Sequence, residues 1–182
     1  MKIFELLKPE NELEKRIVND TEFAEGAMFG EPRPGHPEGK VVYHIKAVLE
    51  NIDSYSMPDN RTDLRIVGLV HDTFKYKVDR NKPKSGENHH ATIARRFAER
   101  FVAIPRVLET IELHDEAYNS WQKGERKANW EKAEERAIKL IQTLEDIDFY
   151  LVFYKCDNQT GEKSSENYNW FKDLAEKHKQ KS

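Results

Sequence analysis

The sequence predicts an all-α protein, a compact bundle of about seven or eight helices. Three observations carry that expectation. Apolar residues recur at helical spacing along most of the chain. Glycine and proline are few, 8 and 7, and four of the glycines and five of the prolines sit in three clusters, "FGEPRPGHPEG", "SMPDNRTD" and "RNKPKSGENHH", which read as loops. Only "FYLVFY" has the propensity of a buried strand, and no convincing second strand exists to pair with it, so it reads as helix.

The elements follow in order. "NELEKRIVNDTEFAEGAMF" opens the bundle. "VVYHIKAVLENI" places Val41, Ile45, Val48, Leu49 and Ile52 on one side. "TDLRIVGLVHDTFKY" starts with Thr62 as N-cap and Asp63 in the first turn, and carries a stripe of Leu64, Val67, His71 and Phe74. "HHATIARRFAERF" repeats the pattern with His90, Ile93, Ala94, Phe97 and Phe101. "PRVLETIELHDEAYNSW" begins with Pro105, suited to a first helical turn. "NWEKAEERAIKLIQTL" and "DIDFYLVFYKCDNQT" give two further helices, and "ENYNWFKDLAEKH" closes the fold.

Composition narrows the function. The chain of 182 residues reads as one domain, with 30 basic against 33 acidic residues and a net charge of −3. That balance gives no electrostatic case for nucleic acid or an anionic membrane surface. Cys156 is the only cysteine, so no internal disulfide forms. No window reaches the length of a membrane span, and the charged N-terminus does not read as a signal peptide. A soluble, cytoplasmic protein is expected, with no membrane partner.

The polar residues on the apolar stripes are the informative ones. His44 has Val41 and Val48 as stripe neighbours, and His71 lies between Val67 and Phe74. His90 is followed by Ile93 and Ala94. His114 has Thr110, Ile111 and Ala117 around it, and Asp157 follows Tyr150, Phe153 and Tyr154. Buried polar groups need partners. Imidazole and carboxylate together bind borderline divalent metals, and a bundle can project such ligands inward from facing helices. A metal-bound water then becomes a nucleophile near neutral pH. The competing reading of any one such histidine is a hydrogen-bonded core residue. Asp146 or Asp148 could also stand in for Asp157, and Asp115 could be exposed.

These residues resemble the HD-domain superfamily of metal-dependent phosphohydrolases, whose pattern H…HD…D reads here as His44, His71-Asp72 and Asp157. "HPEGKVVYHIKAVLENI" looks like the opening of HD regions attached to some bacterial tRNA nucleotidyltransferases. "LVHDTFKY" resembles the family's HDxGK element with Lys75 at the lysine, although Phe74 replaces the usual small residue. "YKCDNQTG" resembles the last-aspartate element, so the likeness covers residues 36 to 161, with helical extensions on both sides. "HHATIA" resembles a helix that supplies a further histidine in two-metal members, in a register favouring His90, and His114 falls where another is placed.

The resemblance implies a phosphohydrolase using one or two divalent ions per chain (Mn, Fe, Co, Ni, Mg or Zn). His44, His71, Asp72 and Asp157 would hold the first. His90 and His114 would hold a second, with Asp72 bridging, or else bind substrate phosphate. Asp72 would orient water or accept its proton, and Lys75 would meet the phosphate. Separately from the resemblance, His36, Glu38 and Lys40 lie in the loop before the His44 helix, which would form the mouth of the site, and Arg33 would contact an anionic substrate; a plain turn with charged decoration is the competing reading. Asp115 is expected to face away. The implied partner is a small phosphorylated molecule such as a nucleotide, and the charged helices beyond Asp157 could make a homo-oligomer surface. A phosphodiesterase of cyclic or oligomeric nucleotides and a non-catalytic binding module are the rival readings. The residues of this sequence do not read as a nucleotidyltransferase domain, so tRNA processing is not expected to transfer.

Overall fold

The computed structural model describes residues 2–32, 39–161 and 164–180, and those residues form helices and loops without a strand. Eleven α-helices follow one another: α1 (Ile3–Leu7), α2 (Glu12–Val18), α3 (Thr21–Ala27), α4 (Val41–Tyr55), α5 (Pro58–Val70), α6 (His90–Ala98), α7 (Pro105–Leu113), α8 (Glu116–Lys127), α9 (Trp130–Thr143), α10 (Ile147–Asn158) and α11 (Glu166–Lys179). A 3-10 segment, Thr73–Lys77, follows α5, and another, Gly86–Asn88, precedes α6.

The class is the expected one, and the larger count comes from α1, which precedes the expected opening segment, and from two splits with local causes. The opening segment splits at Asp20, whose side chain accepts from the Glu22 and Phe23 amides and starts α3 afresh. The segment from Pro105 to Trp121 is two helices, broken at His114-Asp115. Thr62 is not an N-cap. Helix α5 begins at Pro58, five residues before the expected first helical residue Asp63, because the extended Met57 before it suits a residue preceding proline.

Helix α5 also stops at Val70 instead of running through the His-Asp pair. Side chains capture its last carbonyls: His71 Nδ1 lies 3.1 Å from Gly68 O, and Thr73 Oγ1 donates to Leu69 O at 2.7 Å. Such local bonds compete with helix continuation. Phe74 then leaves helical geometry (φ −98°, ψ 16°) and turns its ring into the core, 4.6 Å from that of Phe97. The residue that departs from the HDxGK pattern therefore adds core packing after the helix has ended.

The apolar residues form two clusters. The larger joins Leu7, Ile17 and Phe23 of α1–α3 to the inner faces of α4–α7. The smaller lies among α8, α9 and α11. Helix α10 serves both, giving Phe149, Phe153 and Cys156 to the first and Tyr150, Leu151 and Tyr154 to the second. A helix buried on opposite sides is apolar nearly all round, which is why "FYLVFY" mimics a strand. The N-terminal helices are anchored by charge as well. Glu14 (0% exposed) accepts two bonds from Arg65 of α5 (3% exposed), at 3.0 and 3.1 Å. Among the described residues, no helix is long and apolar enough to cross a membrane.

Candidate metal centre

Five helices bring their polar residues to one place. His44 lies on α4, His71 and Asp72 at the end of α5, His90 at the start of α6, His114 at the end of α7, and Asp157 in the last turn of α10. Asn51 of α4 donates to Cys156 O at 2.8 Å and so fixes the end of α10 against the His44 helix.

The cluster has two halves. In the first, His44 Nε2 is 3.1 Å from His71 Nε2, 3.1 Å from Asp157 Oδ1 and 3.4 Å from Asp72 Oδ2. In the second, His90 Nε2 is 3.3 Å from His114 Nε2, and each of these atoms is 3.4 Å from Asp72 Oδ1. Asp72 thus turns one oxygen to each half. Ligand-capable atoms of His44, His71 and Asp72 lie within 4.8 Å of one another, as do those of Asp72, His90 and His114.

The protonation pattern suits a cation. A carbonyl can only accept, so His71 Nδ1 donates to Gly68 O, and His114 Nδ1 donates to Ile111 O at 2.8 Å. Nε2 of each ring then faces the cluster, as a lone pair wherever the ring is neutral, the arrangement typical of metal-ligating histidines. Burial pushes His71 down to about 3 and keeps it neutral. Burial opposes charge on His114 too, but the Asp115 and Asp72 carboxylates outweigh it and push the ring up to about 9. Asp72 is raised by burial, yet Lys75, His71, His114 and His90 together hold it well below the usual carboxylate range. His44 Nδ1 is buried without a hydrogen-bond partner among the described residues. Inward-facing Nε2 atoms, one of which must first give up a proton, and ionised carboxylates fit one or two divalent ions.

Other expected residues have distinct positions. Lys75 Nζ lies 2.5 Å from Asp72 Oδ2, half-buried, not one helical turn along an unbroken helix. Arg33, His36 and Glu38 lie outside the described residues. His89 caps α6, its Nδ1 accepting from the Ala91 amide at 3.3 Å, while His90 joins the cluster. Asp146 accepts from the Phe149 amide and pairs with Arg106, and Asp148 pairs with Lys179, so neither replaces Asp157.

Asp115 does not face away. Its Oδ2 is 3.2 Å from His90 Nε2 and its Oδ1 3.5 Å from His114 Nε2. Helical spacing would have separated the two side chains, but α7 ends at Leu113 and the chain turns between them. Tyr150 was also missed. Its hydroxyl donates to Leu113 O at 2.9 Å and accepts from the Ala117 amide at 3.4 Å, holding that turn. The repeated His-Asp pair was the signal for Asp115; Tyr150 gave none beyond its place on an apolar helix.

A family model described as HD domain matches residues 40–148, more than half of the chain. The matched span includes His44, His71, Asp72, His90 and His114 and ends before Asp157. It does not bear on the narrower likeness to HD regions of tRNA nucleotidyltransferases. No curated protein and no solved structure matches the chain.

Proposed function

The chain belongs to the HD-domain family, within a superfamily of metal-dependent phosphohydrolases, and from that premise we propose that it hydrolyses a phosphate ester of a nucleotide or similar small molecule with two divalent ions. The observation that carries this reading is Asp72, with Oδ2 toward His44 and Oδ1 toward His90 and His114. In this reading His44, His71 and Asp157 would hold one ion, His90 and His114 would hold the other, and Asp72 would offer one oxygen to each. When bound, the ions supply Lewis acidity toward the phosphoryl group and lower the pKa of water.

The chain's own residues do the rest. A carboxylate held as low as Asp72 is a poor proton acceptor near neutral pH, so its role is to hold and orient. The Lys75 ammonium, now paired with Asp72, supplies a compact positive charge for a phosphate oxygen. Neutral His71, fully buried, keeps its lone pair available without competing protonation.

The test is a substrate panel with metal quantified in the same sample. Nucleoside monophosphates, cyclic nucleotides and a chromogenic diester are offered to protein loaded with Mn, Fe, Co or Ni. Monoester hydrolysis that depends on metal is the expected result. Turnover of the diesters alone makes the protein a phosphodiesterase, and metal-free protein inert with every ion makes it a binding module.

A further inference from the structure

The two His-Asp pairs of this chain are local copies of one another. Each histidine follows the last residue of a helix and keeps helical backbone angles (His71 φ −48°, ψ −44°; His114 φ −56°, ψ −33°). Each aspartate then sits near ψ 0° (Asp72 φ −105°, ψ −7°; Asp115 φ −81°, ψ −14°). Each histidine gives its Nδ1 proton to the carbonyl three residues back. The same turn therefore aims both imidazoles and both carboxylates at the cluster.

We propose that Asp115 is a ligand of the second ion, beside His90, His114 and Asp72. The proposal rests on the two-ion reading above. It would give each half the same donor set: two imidazoles, the shared Asp72 and one carboxylate of its own, Asp157 in the first and Asp115 in the second. The ordinary alternative for an aspartate just before a helix is a cap. Asp115 precedes α8, yet its side chain makes no cap hydrogen bond. Its oxygens instead approach His90 Nε2 and His114 Nε2, at 3.2 and 3.5 Å. A separate site with His89 is disfavoured, because the Nδ1 lone pair of His89 is taken by the Ala91 amide and its Nε2 carries the proton of the neutral ring.

The experiment strips full-length wild type, Asp115→Asn and Asp115→Ala with chelator and titrates each with Mn²⁺ by calorimetry. Metal content is then counted by mass spectrometry, and thermal melting verifies folding. Wild type is expected to take two ions. Both variants should keep the first binding step and bind the second ion at least about tenfold more weakly, or not at all. A second step unchanged in both variants overturns the Asp115 assignment and leaves the two-ion reading standing. A wild type that takes fewer than two ions overturns the two-ion reading, and the assignment falls with it.

Discussion

At the scale of single residues, His71 and His114 have the same backbone setting and opposite electrostatics. His71 is governed by burial and stays neutral, whereas His114 sits between two carboxylates and is pushed from an ordinary 6.5 up to about 9. In metal-free protein near neutral pH the His114 ring is therefore protonated, and a metal must displace that proton. Below the folded-state value the proton competes with the ion, so affinity for the second ion should rise about tenfold per pH unit from about pH 7 to 9 and then level off. Calorimetry in buffers of different ionisation enthalpy should find about one proton released; a pH-independent second step would contradict this. The raised value also means that the His114 contribution to metal-free stability is complete below about 6.5 and is lost as pH rises through about 9. The stripes made His44, His71, His90, His114 and Asp157 legible in the sequence, since each is a polar residue at apolar spacing. Asp115 was not, because its direction depends on a helix break that periodicity does not report.

At the scale of elements, the site is built at helix ends. Helices α5 and α7 both stop where side chains take their final carbonyls, and sequence periodicity continues across both stops. The expected helices therefore ran too long, although their buried faces were right. What holds the first turn in place is α3. A Cβ on Gly26 would lie 2.0 Å from Thr73 O, directly after the His-Asp pair. Gly26→Ala must push the turn away, and overpacking of this kind costs about 1–3 kcal/mol. Urea unfolding should show that loss together with weaker metal binding. Unchanged stability and unchanged metal affinity would mean that α3 does not position the turn.

At the scale of the whole molecule, the N-terminal helices belong to the same core as the site helices, and α10 couples that core to the C-terminal cluster. The sequence predicted the all-α class from periodicity and loop punctuation alone. It could not give the Glu14–Arg65 pairing, because a buried ion pair 51 positions apart leaves no local signature. Nor could it give the convergence of five helices, which depends on packing directions set by both apolar clusters together. Helices α4, α6 and α7 each bring a histidine to 3.4 Å from Asp72 at the end of α5, so the central claim is that this carboxylate joins two metal-binding halves. The most direct measurement is the metal content of wild type and Asp72→Asn, each reconstituted after chelation and assayed for phosphate release in the same sample. Two ions per wild-type chain, with both ions and hydrolysis lost in the variant, is the result the account predicts. A variant that retains two ions, or a wild type that hydrolyses phosphate esters with none, would contradict it.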